Sequence, residues 1–311
     1  MSIYADQTWV HRFHDTLSLT FQQMQSIVTS LLSPMMIHND VSAAVDYHER
    51  LGNGIANDVV APFAQTVIQN LNHSRRSVIM QSSDFAVAVS DENTLRAMVN
   101  PTNGYTQTIL AGLQRRRDLH VINALIGTAT TAAVTAGTGA ITTGTQAMLA
   151  AHQIGAATAI DLARVINATE LLSKKGVPND GKRAFLYSPG QLRDLLAITQ
   201  ASSSDFTKNQ IHDKGTINGV SWEGFNWYEI ADVIADDNST ILQRMLPVPS
   251  YRQCIAFHPS AIGLSVGKAI TTQLDAAPWL QSRPTQIRAS MIMAAVRVWE
   301  GGVVEVRALE N

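Results

Sequence analysis

The sequence predicts an α+β chain, a helix-and-sheet body from which long segments project. Two hydrophobic periods predict it. Apolar residues alternate at Val41, Ala43, Val45 and Tyr47 and again at Phe85, Val87 and Val89, the period of a strand. After Thr102 and after Thr158 they recur every third or fourth residue, the period of a helix. The third observation is a shortage of charge: 15% of residues are charged, where soluble domains carry about 25%. Ala, Thr, Ser, Gln and Asn stand in their place, which suits equally a surface that ends against a neighbour and a weakly charged soluble domain.

Composition narrows the function classes. The chain has 311 residues, 45% of them hydrophobic, enough for one or two packed cores. A net charge of -2 and a pI near 6.5 argue against a dedicated nucleic-acid reader. Cys254 is the single cysteine, so no internal disulfide forms and a reducing compartment is expected. Its strand-like surroundings, 251–257, make it a buried structural thiol rather than a nucleophile. The start, Met1-Ser2-Ile3-Tyr4-Ala5-Asp6, lacks the basic-then-apolar order of a signal peptide. No apolar run reaches the roughly twenty residues that span a membrane, so a cytoplasmic product without a membrane partner is expected.

The elements follow in order. Residues 1–40 are polar and Gln-rich, with Trp9, Phe13 and Leu17 at every fourth position. A helical stripe follows at Phe21, Met24, Ile27, Val28, Leu31 and Leu32, ended by Ser33-Pro34. Such a segment is too polar to build a core alone and fits an arm that orders against another surface. In residues 41–90 two strands, near 41–47 and 85–89, flank a polar excursion of roughly two to three dozen residues that holds Gly52-Asn53-Gly54 and Arg75-Arg76. A lone two-stranded ribbon is marginal in water and needs a surface to rest on.

Ser90 or Asp91 caps a short helix through Val99, and Asn100-Pro101 interrupts it. Thr102 then caps a long helix carrying Tyr105, Ile109, Leu113, His120 and Ala124. About 25 residues make a rod of about 37 Å. Arg115-Arg116-Arg117, in its middle, read as a solvated or interface-facing basic face. A DNA-binding patch is the weaker reading, because three arginines without interleaved aromatics specify nothing. The Gly-, Ala- and Thr-rich stretch 127–157 reads as a mobile excursion. A helix over 158–175 is stopped by Gly176, with Pro178 beyond. A strand at 184–187 leads to a helix opened by Ser188-Pro189. Strand signals return around 222–230 and 251–257, and a short apolar stretch covers 261–266. Two closing strand candidates, 287–299 and 303–306, are joined as a hairpin at Glu300-Gly301-Gly302.

Catalysis needs convergent reactive groups, and the sequence offers none. His11 and His14 lie in the polar arm without a third ligand. His48 and Glu49 are neighbours on a strand and point to opposite faces, so they form no dyad. Gly137-Thr138-Gly139 and Gly181-Lys182-Arg183 are loop fragments rather than phosphate cradles. Asp232, Asp236 and Asp237 read as solvated carboxylates near a turn, and Trp222, Phe225, Trp227 and Tyr228 as strand core. No catalytic residue, cofactor or metal is expected, and a soluble α+β hydrolase is the rival reading from another class.

The order of segments resembles a family of tailed-phage major capsid proteins with the Hong Kong 97-type coat fold. The resemblance is carried by Asn218-Gly219-Val220-Ser221-Trp222-Glu223-Gly224-Phe225, by Cys254-Ile255-Ala256-Phe257-His258, and by Ala261-Ile262-Gly263-Leu264 with Gly267-Lys268 and Asp275. Thr285-Gln286-Ile287-Arg288-Ala289-Ser290-Met291 and Ala295-Val296-Arg297-Val298 extend it towards the end. Earlier in the chain Arg75-Arg76, Asp91, Asn100-Pro101-Thr102 and Phe185-Leu186-Tyr187-Ser188-Pro189 also look similar, so the likeness runs from about residue 40 onward. Ala294 stands where such coats often carry a small glycine, and Glu300-Gly301-Gly302 replaces a charged run.

On that template residues 1–40 resemble the N-terminal arm and 41–90 the extended β-hairpin loop. Residues 91–150 would hold the peripheral domain with its spine helix, 151–282 the axial domain, and 283–311 strands returning to the peripheral domain. Some members crosslink a loop lysine to a neighbour's asparagine; residues 41–90 contain no lysine, so that chemistry is not expected from this loop. The implied function is a coat subunit that associates with itself in pentamers and hexamers around packaged double-stranded DNA contacted nonspecifically. Scaffolding, portal and decoration proteins are implied partners, the virion capsid the location, and the host bacterial cytoplasm the place of synthesis. A bacterial nanocompartment shell is the rival with the same fold. Expected assembly contacts are Trp9, Phe13 and Phe21 in the arm and Arg75 and Arg76 in the loop, the two arginines facing acidic groups of an adjacent subunit.

Overall fold

The computed structural model describes residues 36–52, 54–58, 73–89, 102–134, 141–155, 158–196, 221–230, 250–277 and 284–309, with isolated positions between them. Trp9, Phe13, Phe21, His11, His14, the stripe at 21–31, the short helix through Val99, Gly137-Thr138-Gly139 and Asp232, Asp236 and Asp237 lie outside the described residues.

In chain order, β1 (Ile37–Asp40) and β2 (Val45–Leu51) precede β3 (His73–Ile79) and β4 (Gln81–Val89). The helix α1 (Thr102–Ile126) leads to β5 (Ala129–Val134), β6 (Ile141–Gln146) and β7 (Gln153–Ile154). Then come α2 (Leu162–Lys174), β8 (Ala184–Tyr187), α3 (Pro189–Leu196), β9 (Ser221–Trp222) and β10 (Phe225–Glu229). The closing strands are β11 (Leu246–Pro247), β12 (Ser250–Phe257), β13 (Ile262–Ala276), β14 (Thr285–Arg297) and β15 (Val303–Leu309).

These elements divide into two compact units. The smaller holds the described residues of 83–115 and 270–291. Within it Ile109 and Leu113 of α1 are buried, Ile287, Ala289 and Met291 alternate inward along β14, and Arg288 pairs with Asp84 at 3.1 Å. The larger unit, 31–82, 116–269 and 292–311, is built on a seven-stranded sheet of order β7-β15-β12-β8-β10-β9, with β11 on β12. β12 lies antiparallel to both β15 and β8, while β10 runs parallel to β8. Being central, β8 is buried at all four positions, which is why its sequence Ala-Phe-Leu-Tyr shows no alternation.

One face of this sheet packs an aromatic core. Phe185 stacks on Trp227 at 4.3 Å, and Trp222 and Phe225 close around them. Burying each such side chain stabilises the fold by about 1.5–3 kcal/mol. The turn between β9 and β10 has positive φ at Glu223 (51°) and Gly224 (78°), the two-residue geometry that matches strand twist. Against the same core lies α2, burying Val165, Ala168 and Leu172. Asp161 caps its start by accepting from the Arg164 N–H at 2.9 Å. Gly176, at φ 75°, ends it: its N–H reaches Ser173 O at 2.9 Å, and that of Val177 reaches Leu172 O at 3.1 Å.

The expected long helix is present with its 25 residues, and the strand and helix at 184–187 and after Ser188 stand where expected. The helix expected over 158–175 begins four residues late, behind Asp161. Four expectations need correction. The partner of β2 is β3, not the strand at 85–89, so the polar excursion already contains the hairpin's second strand. Residues 129–146 are not an excursion but the antiparallel pair β5–β6, which extends a sheet of order β2-β3-β5-β6. The apolar stretch at 261–266 opens a strand of 15 residues, β13. Finally, Glu300-Gly301-Gly302 forms a 3-10 turn that passes the chain from the β1-β13-β14-β4 sheet to the seven-stranded one, so β14 and β15 make no hairpin.

Candidate assembly site

The β2–β3 hairpin has two chemically different faces. In its register Glu49 lies opposite Arg75 and His48 opposite Arg76. Strand period then puts Tyr47, Glu49, Leu51, Arg75 and Ile79 on one face and Asp46, His48, Arg50 and Arg76 on the other. The outward face is open: Leu51 is 58% and Ile79 71% exposed, and the Glu49 carboxylate pairs with Arg75, whose guanidinium also lies 5.2 Å from the Tyr47 ring centre. Beyond β2, Ile55 and Ile68 are 80% and 90% exposed.

The inward face is fastened to the body by polar groups. Arg76, buried, donates to Glu300 Oε1 at 2.6 Å, and Arg50 Nη1 stands 3.6 Å from Glu300 Oε2. The Arg50 guanidinium also sits 5.6 Å from the Trp299 ring centre. Beside them Ser265 donates to Asp46 Oδ2 at 2.6 Å and meets His48 Nε2 at 2.9 Å. The His48 ring fills the space over Gly263, where an added Cβ would come within 2.4 Å. Burial pushes the His48 imidazole below its ordinary value, against the pull of Asp46. Burial alone would raise the Asp46 carboxyl, but hydrogen bonds from Ser265 and the Tyr47 N–H, with the nearby His48, bring it below its ordinary range. An open groove of about 610 Å³ runs along this base, lined by Asn39, His48, Arg50, Ile262 and Trp299 among others.

Arg75 and Arg76, paired in the sequence expectation, are therefore separated by the strand. Arg76 donates to Glu300 of its own chain, while Arg75 stays on the open face. Glu300, Asp46 and Ser265 carry no local sequence signal, because their partners lie far away along the chain. The expected opposition of His48 and Glu49 holds, the first buried and the second exposed. Cys254 is buried beside Gln191 Oε1, and Trp222, Phe225 and Trp227 are core. Arg183 is also structural, donating to Val177 O and Pro178 O. On α1, Arg115, Arg116 and Arg117 are half-buried. Among the described residues no cluster of three or more His, Cys, Asp or Glu could hold a metal ion, and no helix is long and apolar enough to cross a membrane.

Solved structures share this fold. The head structure of Helicobacter pylori bacteriophage KHP40 matches with a TM-score of 0.69 at 9% identity, over 94% of this chain and 95% of that one. The capsid of cyanophage P-SCSP1u matches with a TM-score of 0.67 at 13% identity, over 96% and 94%. A Mycobacterium phage Che8 structure matches with a TM-score of 0.63 at 17% identity, over 93% and 94%. No curated protein matches. The family described as phage capsid protein matches residues 5–310, and the chain belongs to that family. It is a major capsid protein with the Hong Kong 97-type fold, located in the virion capsid, and the hydrolase and nanocompartment readings have no support.

Proposed function

We propose that the chain assembles as pentamers and hexamers into an icosahedral shell around packaged double-stranded DNA, and that it does no catalysis. The observation that carries this is the open face of the β2–β3 hairpin. Leu51 and Ile79 on that face, with Ile55 and Ile68 in the segment beyond β2, are exposed apolar side chains, and burial against a neighbour turns such surface into association energy. Arg75 with Glu49 and Tyr47 gives the same face its polar contacts, and Trp9, Phe13 and Phe21 of the arm add theirs on a further neighbour. Such heterologous contacts repeat until symmetry closes them.

In this reading residues 1–40 are the arm, 41–90 the extended loop, 91–150 the peripheral domain with α1 as spine, 151–282 the axial domain and 283–311 the return. The hairpin's second strand and the β5–β6 pair support a loop sheet broader than 41–90 alone. A net charge of -2 makes DNA contact local, nonspecific and salt-dependent, with Arg115–Arg117 as the basic group for it. Synthesis in the host bacterial cytoplasm suits the single buried thiol. Scaffolding, portal and decoration proteins complete the partners. Electron cryomicroscopy of the particles made by the full chain tests the proposal: closed shells with five- and six-fold clusters are expected, and a protein that stays a small globular species at every concentration refutes it.

A further inference from the structure

We infer that Glu300 is the positioning residue that sets the direction in which the β2–β3 hairpin leaves its body, and through it the curvature at which shells close. The inference rests on the assembly reading above. Its basis is that one buried carboxylate is gripped from both strands of the ribbon. Arg76 reaches it from β3 at 2.6 Å and Arg50 from β2 at 3.6 Å. Swinging or rolling the ribbon therefore lengthens at least one of these contacts.

The other side of the clamp has little room to move. Glu300 opens the 3-10 turn Glu300–Gly302, whose last carbonyl accepts from the His258 N–H at 3.1 Å. The N–H groups of Val298 and Trp299 both donate to Ala261 O, at 2.8 and 3.2 Å. A Cβ added at Gly302 would stand 2.6 Å from Ala261 Cβ, and one at Gly301 would stand 2.9 Å from Trp299 Nε1. The turn is thus pressed against its surroundings with only hydrogen atoms to spare, and Trp299 in turn underlies Arg50. The His48–Ser265–Asp46 contact pins the same ribbon to β13, so the clamp sets direction about an already fastened base.

Energetics point the same way. A buried ion pair is seldom more stable than well-packed apolar residues of the same volume, because desolvation offsets the attraction. What the pair supplies is one geometry in preference to others. In a closed shell that matters, since a heterologous contact closes only at the correct rotation. Glu300 also answers an excess of positive charge: Arg297, fully buried, feels both Glu300 and Arg76.

The distance measurement uses the full chain, unassembled, with spin labels at Leu51→Cys on the hairpin and Glu170→Cys on α2, both exposed, while Cys254 is buried and stays unlabelled. Shell diameters are read on the same Glu300 and Arg50 variants without labels, so that Leu51 is intact there. Glu300→Gln keeps the shape and removes the charge. It is expected to broaden the label-to-label distance distribution in unassembled subunits and to replace shells of one diameter with mixed diameters or open tubes. Arg50→Gln, at a half-exposed site, is expected to do the same more weakly, and Arg50→Lys to restore the narrow distribution and the single diameter. Should Glu300→Gln fail to fold, the Arg50 pair decides. Wild-type distances in the neutral variants overturn the positioning role, and broadened distances with uniform shells overturn its link to curvature. If the wild-type chain forms no shells, the assembly reading falls, and the distances alone still decide whether Glu300 positions the hairpin.

Discussion

His120 stands half-buried on α1 with its Nε2 enclosed and unpartnered within the described residues. Burial, with Arg116 close by, pushes its imidazole down to about 4 from an ordinary 6.5. The folded chain therefore holds His120 neutral where the unfolded chain already binds a proton. Between pH 6.5 and about 4 the unfolded state carries the extra proton, so stability falls as pH falls through that window. His48, whose value is also lowered by burial, acts in the same direction. Urea midpoints of unassembled subunits across this range should show a shallower acid slope for His120→Gln than for the wild type; equal slopes exclude His120 as a source of acid lability. Neither this residue nor Glu300 was legible as special. Local sequence shows type and spacing, whereas the burial of His120 and the two arginines around Glu300 come from packing between distant segments.

Elements were legible where apolar residues cluster between clear boundaries and illegible where pairing did the work. The α1 helix, β8 and β12 stand out because their apolar residues are numerous and their boundaries carry Pro, Gly or capping side chains. By contrast β3 reads His-Ser-Arg-Arg-Ser-Val-Ile, with no apolar face: its inward position at Arg76 is filled by an ion pair and its outward one is open. The β5–β6 pair is Thr- and Ala-rich for a related reason, since a sheet formed by edge pairing needs backbone partners more than a greasy face. The α2 helix shows how a cap sharpens a boundary. Apolar spacing begins at Ile160, yet the helix waits for Asp161, whose carboxylate accepts from Arg164 N–H. Asp161→Ala should lower subunit stability by about 1 kcal/mol, the usual effect of losing such a cap. Denaturant unfolding followed by circular dichroism measures it; an unchanged midpoint would mean that packing against β15 holds the helix start without the cap.

For the molecule as a whole, the decisive asymmetry is between the two faces of one hairpin. The inward face spends charges on Glu300, Ser265 and Trp299 of the same chain. Leu51 and Ile79 on the outward side, and Ile55 and Ile68 in the segment beyond β2, are exposed. If they are interface, removing them should separate folding from assembly, because exposed apolar residues contribute little to the stability of the lone subunit. Substitutions at such surface positions usually change stability by no more than about 0.5 kcal/mol. Burying them on assembly would contribute about 25 cal/mol for each Å² of apolar area removed from water, before the entropy of association is subtracted. Ile55→Ser with Ile68→Ser, the two most exposed of the group, should therefore leave the thermal midpoint of the unassembled subunit unchanged and raise the concentration at which shells appear. Light scattering across a concentration series gives that threshold and calorimetry gives the midpoint. A lowered midpoint with an unmoved threshold would place these side chains in the subunit's own fold and remove the hairpin from the interface.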